Sequence, residues 1–279
     1  MSSMTKDYII RPFQDRSDFE KMQELEQKVW GSEPIPIPQT LTVHQNGGLL
    51  MGAFAGERLI GFSYGFPGFS NGHTYLCSHM LAIDPDYQKT GIGKVLKEAQ
   101  KQEAIRLGYD LLTWTFDPLE SVNAYLNLTK LKAICNTYKV NCYGEMKDGL
   151  NKGLPTDRLK VDWWIQSSYV NGEQTFTDEQ AMVLADYEVT PAGFPKISLI
   201  HSEDVSNKDS VLVPITKSFQ EIKVKDQDLA MDWRMNIRDM FTRLFAEGYA
   251  VVQLIQRPDE PVHYYLFVKK DAINLEKEG

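Results

Sequence analysis

Three observations predict a mixed α/β (α+β) fold for this chain. Apolar residues switch repeatedly between strict alternation and helical spacing. Two apolar runs, Leu49–Ala55 and Leu59–Phe66, are joined by Gly56-Glu57-Arg58 and read as a hairpin. A third apolar run ends at Ile83 and leads through Gly91 and Gly93 into an amphipathic segment. At 279 residues the chain is close to twice a usual domain of about 150, so two lobes or one large domain fit.

The elements follow in order. Tyr8–Phe13 is a short strand, and Ser17 is the expected cap of a helix running to about Trp30, with Phe19, Met22, Leu25 and Val29 at helical spacing. The Pro-rich stretch from Gly31 interrupts the chain before a weak helix at 38–45. After the hairpin comes the Thr74–Ile83 strand, then a helix over 91–107 with Val95, Leu96, Ala99 and Ile105 on its apolar side and Gly108 behind it. Leu111–Phe116 is a strand, Val122–Ile134 a helix, and Tyr138–Tyr143 and Leu159–Ile165 are strands. The polar segment 166–194, with Gly172, Pro191 and Gly193, is the expected linker between a first domain at 1–165 and a C-terminal α+β lobe at 195–279. That lobe has strands at Lys196–His201 and Val211–Pro214, a long helix from Asp226 to Glu247, and two final strands. On the long helix Trp233 is expected in the core and Arg234 on the surface. A lid, a cleft wall and a dimer contact are all open as its role.

Composition narrows the function classes. With 30 Lys+Arg against 38 Asp+Glu the formal charge is -8, which argues against a nucleic-acid binder, because such affinity is carried mainly by Lys and Arg neutralising phosphates. The same excess faintly favours a cationic partner. No run of about 18 apolar residues is present, and the opening residues lack a signal-like apolar stretch, so a cytoplasmic protein without membrane association is expected. Cys77, Cys135 and Cys142 show no CxxC spacing and read as structural thiols. The five histidines are scattered, so no metal is expected.

The informative stretch is His79 through Leu96. A buried strand ends at Ile83, a turn follows, and two glycines open a helix whose first N–H groups lack intrahelical partners. This predicts an anion site, since the loop can wrap a pyrophosphate and the helix dipole favours negative charge. A Walker A loop fails at Gln88 and Val95, and a dinucleotide fingerprint fails at Leu96. What remains is Gln88-Lys89-Thr90-Gly91-Ile92-Gly93, matching [RQ]-x-x-G-x-[GA].

With that motif, the sequence resembles the GNAT superfamily of acyl-CoA N-acyltransferases, closely over about 74–131 and more loosely over 8–165. The block from Trp114 to Trp164 is similar to a bacterial branch of the family with a C-terminal extension. The resemblance implies a mostly antiparallel central sheet flanked by helices. It implies that Gln88, Lys89, Thr90, Gly91, Ile92, Gly93 and Lys94 hold the coenzyme pyrophosphate, that Leu81, Ala82 and Ile83 meet the pantetheine arm and thioester, and that Asn123 opens the coenzyme-facing helix. Acetyl-CoA, or another acyl-CoA, would then be the co-substrate and a primary amine, on a small molecule, the acceptor.

Direct transfer needs a neutral amine, a donor for the oxyanion, and help for the leaving thiolate. His79, two residues before Leu81, is the first candidate base; a packing role is the alternative. The family's helix tyrosine is replaced by Leu128, which leaves Tyr125, Tyr138 or Tyr143 as candidate acids or simple packing residues. Cys135 has no partner by sequence to activate it. The charged loop 144–158, with Glu145, Lys147, Asp148, Lys152, Asp157 and Arg158, is read either as carrying binding groups or as a connector. The missing tyrosine keeps a non-catalytic acyl-CoA sensor in play beside the enzyme.

Overall fold

A computed structural model describes residues 8–144 and 153–277. The chain divides into two compact units, Met1–Trp114 and Thr115–Gly279. The division falls inside a strand, well before the 166–194 segment.

In the first unit, β1 (Ile9–Pro12), β2 (Leu49–Ala55), β3 (Arg58–Ser70) and β4 (His73–Ile83) pair antiparallel in sequence order, and β5 (Leu111–Phe116) joins β4 in parallel. Helix α1 (Arg16–Trp30) is capped by Asp15, which accepts from the Asp18 N–H, and not by Ser17. Asp15 is the better cap because its extended backbone leaves its carboxylate free to reach that amide. The Phe19, Met22 and Leu25 stripe of α1 packs with Leu50, Phe62, Tyr64 and Ala82 of the sheet into one core. Helix α2 (Ile37–Gln45) adds Ile37, Leu41 and Val43 at its edge.

Helix α3 (Ile92–Arg106) covers the other face. Strand side chains alternate between faces: Phe62 and Tyr64 point toward α1, while a Cβ placed on Gly61 would stand 3.2 Å from Leu96 of α3. Of the expected stripe of Val95, Leu96, Ala99 and Ile105, only Leu96 lies on the fully buried side of α3, and the other three are half-buried. That side consists of Ile92, Leu96, Lys97, Gln100, Lys101 and Ala104.

The second unit contains most of the elements that local polarity concealed. Strand β6 (Ile134–Lys139) begins earlier than the expected Tyr138–Tyr143 strand, because Ile134 and Cys135 enter the core and the chain turns at Asn141, whose φ is +46°. The helix expected over 122–134 is shorter: α4 (Ser121–Ala124) passes into a π-helical stretch, Tyr125–Lys130. Thr129 holds that stretch to β12 (Tyr249–Gln256), its hydroxyl donating to the Leu254 carbonyl and accepting from the Leu254 N–H. β6 pairs with β7 (Arg158–Trp164) on one side and meets β12 at Val251 on the other. The residues 166–194 are structured, with α5 (Ser168–Asn171), β8 (Met182–Val183) and β9 (Ala185–Val189). β9 pairs antiparallel with β10 (Pro195–Ile200) in a largely exposed ribbon, which is why its sequence lacks an apolar signature.

β11 (Ser210–Thr216), β12 and β13 (Val262–Lys269) complete the second unit's strands, with β8 parallel to β11. A short α6 (Phe219–Lys225) precedes α7 (Gln227–Ala246). Trp233, Ile237, Phe241 and Leu244 of α7 are buried, and the Phe241 ring meets Tyr265 and Phe267 edge-on at 5.1 and 4.8 Å. Arg234, expected on the surface, is 2% exposed: its guanidinium grips Asp117 with two hydrogen bonds, at 2.8 and 2.5 Å. Among the described residues, Cys77, Cys135 and Cys142 form no disulfide. No helix is long and apolar enough to cross a membrane among the described residues.

Removing one member of a buried ion pair strands the other charge, at a cost of about 3–5 kcal/mol. Arg234→Ala should therefore lower unfolding stability in urea by that order. Arg234→Ala paired with Asp117→Ala should recover part of the loss.

Candidate functional site

The site-bearing residues of the first unit begin where β4 ends. Asp84 is 2% exposed and receives Lys28 Nζ at 2.7 Å and Arg58 Nη2 at 2.6 Å. Burial would raise its carboxyl, but the bonds from Lys28, the Asp86 N–H and Arg58 outweigh that and hold it below the ordinary carboxylate value. Its N–H also donates to the Ile60 carbonyl of β3, so the exit from the sheet is fixed in space. A single 3-10 turn, Pro85–Tyr87, follows.

Next comes the glycine loop. Lys89 has φ +60° and Gly91 φ +90°, and α3 starts at Ile92. A side chain at 91 would be strained by that dihedral, although space is free around it. A Cβ at Gly93 would touch only Leu81, at 3.8 Å. Among the described residues, the N–H groups of Lys89, Thr90, Gly91, Ile92 and Gly93 have no acceptor, while those of Lys94 and Val95 turn back to the Gly91 carbonyl. Successive N–H groups open to solvent at a helix start form a concave anion seat. Gln88, Lys89 and Lys94 are exposed around it.

β4 itself is irregular where chemistry was expected. Its register with β3 runs Gly65↔Ser78 and then Tyr64↔Met80, so His79 is the extra residue of a β-bulge. Bulges re-aim side chains and are frequent beside functional sites. On its other edge β4 pairs with β5 only at Leu76↔Leu112 and Cys77↔Thr113. Beyond Cys77 the two strands part, leaving the Leu81-Ala82-Ile83 backbone without a β5 partner.

His79 opens onto a cleft of about 550 Å³. Ile35, Gln39, Thr42, Val43 and Asn46 line one side, and Tyr64, Phe66 and Pro67 of β3 the other. The imidazole stands 5.6 Å from the Phe66 ring and 6.1 Å from the Tyr64 ring. It is exposed at the cleft, yet the protein packed around it disfavours the charged form and lowers its pKa below 6.5.

Behind the bulge, on the α3 face, lies a group the sequence did not single out. Lys97 is 3% exposed; its Nζ donates to Ser78 Oγ at 2.7 Å and to Gln100 Oε1 at 3.4 Å, and sits 3.6 Å above the Trp114 ring. Burial pulls its pKa down to about 7. The only sequence signal is a lysine in the helical register of Ala104 and Gln100, which alone reads as a solvated face.

The other expected residues lie in the second unit. Tyr138 donates to Asp157 Oδ2 at 2.8 Å, and burial, with that carboxylate, drives its pKa far up. Asp157 is also held by Arg238, at 2.8 and 2.9 Å. Tyr125 is half-buried beneath Lys130, whose Nζ is 5.0 Å from the ring centre, and Asn123 is exposed on α4. Leu128, in the position of the family's tyrosine, is 1% exposed and serves the core. Tyr143 shares a 3.0 Å hydrogen bond with Thr115. Burial raises the Cys135 thiol, which makes it a poor nucleophile. Glu145, Lys147, Asp148 and Lys152 lie outside the described residues.

For Lys97 the sign of the pH effect follows from its lowered pKa. Between about pH 7 and 10.5 the unfolded chain holds a proton that the native chain does not, so stability rises with pH across that window. Lys97→Met should remove that rise, narrowing the stability gain from pH 7 to 9 by on the order of 2 kcal/mol in denaturant titrations. An unchanged slope would show that the amine is protonated in the native protein.

Comparison with known proteins accords with this geometry. Residues 12–127 match the model of the acetyltransferase (GNAT) family. No curated protein matches the chain. Among solved structures, the ribosomal-protein-S18-alanine N-acetyltransferase from Escherichia coli is 18% identical, covering 61% of this chain and 99% of that one, with a TM-score of 0.44. A GNAT family acetyltransferase from Elizabethkingia anophelis, solved with acetyl-CoA bound, is 19% identical over 57% of this chain and 99% of its own, at 0.43. Aminoglycoside 6'-acetyltransferase type Ii is 17% identical over 56% and 97%, at 0.45. These overlaps are loose, and the assignment rests on the sequence match that spans β4, the glycine loop and α3. Over residues 12–127 this chain is similar to the acetyltransferase (GNAT) family.

Proposed function

We propose that this protein is an N-acetyltransferase that moves the acetyl group of acetyl-CoA directly onto a primary amine, with acetyl-CoA as co-substrate and no metal. The observation that carries the reading is the row of five acceptor-free N–H groups from Lys89 to Gly93 at the start of α3. A pyrophosphate supplies the acceptors that these donors lack, and the helix dipole favours its charge. Lys89 and Lys94 add positive charge at the rim, and Gln88 a neutral donor.

The remaining parts of the reading follow from β4. Where β5 departs, the outward N–H and C=O groups along Leu81, Ala82 and Ile83 have no strand partner and can bond an extended amide chain such as pantetheine, which at the Ile83 carbonyl would take the place of the Gln88 side-chain amide. The amine nitrogen attacks the thioester carbonyl carbon, its proton passes to His79, and the C–S bond breaks to release the coenzyme thiolate. A neutral imidazole is the competent form, so the lowered pKa of His79 keeps it competent at neutral pH. Tyr125 is the better candidate to protonate the thiolate, because the Tyr138 proton is committed to Asp157. Asn123 is assigned to the coenzyme side by its place in the family motif. The cytoplasm, where acetyl-CoA is made and used, is the proposed location.

Gly91→Glu places a carboxylate and an unfavourable φ in the anion seat. Acetyl-CoA binding measured by calorimetry should disappear while thermal unfolding stays cooperative, its midpoint lowered by several degrees by the strained φ; retained binding would refute the loop assignment. His79→Ala should lower kcat/KM by about 10²–10⁴-fold with acetyl-CoA affinity intact. In the wild type, kcat/KM should rise through a pKa below 6.5, and that acid limb should vanish in the variant. Full activity of His79→Ala across pH 6–9 would end the base assignment.

A further inference from the structure

We propose that the acceptor is a primary amine borne on an aromatic or branched-aliphatic body with no second positive charge. The inference rests on the acetyltransfer reading and concerns the cleft in front of His79. Its walls are Ile35, Val43, Tyr64, Phe66 and Pro67, with His79 at the bulge. Among the described residues, no aspartate, glutamate, lysine or arginine lines it. The half-buried Phe66 ring, tilted and 6.1 Å from the buried Tyr64 ring, presents apolar surface on which a flat or branched group can lose water.

The polar groups of the cleft are neutral and partly spent. Thr42 Oγ1 donates to the Pro38 carbonyl, and Asn46 Nδ2 to the Thr42 carbonyl. Two nearby acidic groups are buried beside it. Tyr64 is 2% exposed and burial raises its phenol pKa, so it stays neutral. Glu26 is 3% exposed, absent from the lining and engaged by the Ile35 N–H at 2.9 Å, so its carboxyl is not presented to the cleft. A second ammonium entering here would shed water and find no counter-charge, which is costly. The reacting amine escapes that cost because it gives up its proton. The chain's formal charge of -8 draws cations to the surface in general, but selection is made by the cleft wall. Its volume of about 550 Å³ admits a ring or branched chain with room to spare.

The test titrates the CoA-loaded protein in a calorimeter with 2-phenylethylamine, isoamylamine, spermidine and kanamycin. The first two should bind at least tenfold tighter than the last two. Val43→Glu, which puts a carboxylate in the wall, should weaken 2-phenylethylamine at least tenfold and tighten spermidine. Phe66→Ala should weaken 2-phenylethylamine alone, and CoA binding reports that each variant is folded. Equal or tighter binding of the polycations, or no binding of either apolar amine, overturns the inference and leaves the acetyltransfer reading standing. Failure of CoA itself to bind the wild-type protein removes that reading and this inference with it.

Discussion

The buried carboxylate of Asp84 is the constraint on which the first unit's site depends. It ties Lys28 of α1 and Arg58 of β3 to the last residue of β4's exit, at 2.7 and 2.6 Å. It also takes the Asp86 N–H, so one side chain decides where the sheet stops and the loop begins. A row of open N–H groups is useful to an anion only if it is held in shape before the anion arrives. Without that anchor, Gly91 and Gly93 would make the loop pliable; with it, their freedom is confined to the conformation that leaves five donors without a protein acceptor.

The second organising feature is β4, whose two faces carry different chemistry. Ser78 faces α3 and accepts from the buried Lys97, while His79, one residue on, faces the cleft. The bulge makes that arrangement: one extra residue on β4 shifts its register with β3 and turns the imidazole toward Tyr64 and Phe66. The helix that presents the anion seat is thus tied, through Lys97 and Ser78, to the strand residue beside the proposed base.

How much of this was legible in the sequence depended on the range of the forces involved. The glycine loop and the hairpin of β2 and β3 were readable because turn chemistry and alternation act over a few residues. The bulge at His79 was not, since register depends on the partner strand. Lys97 and Arg234 were hidden for a related reason: each is a charged residue on an amphipathic helix, and only tertiary partners (Ser78 and Trp114 for one, Asp117 for the other) make burial tolerable. The segment 166–194 was read as a linker because α5 and β8 are very short and β9 is largely exposed with little apolar alternation. The helix after Ser121 was read too long because its end is set by Thr129 docking on β12, far along the chain.

The central claim is that the free N–H groups from Lys89 to Gly93 form the seat of a coenzyme pyrophosphate. Its most direct test follows those amides by ¹⁵N-resolved NMR while CoA is added. The account predicts saturable shifts at Lys89, Thr90, Gly91, Ile92 and Gly93 that are reproduced in part by inorganic pyrophosphate. Saturable CoA binding that leaves those five amides unmoved would contradict it.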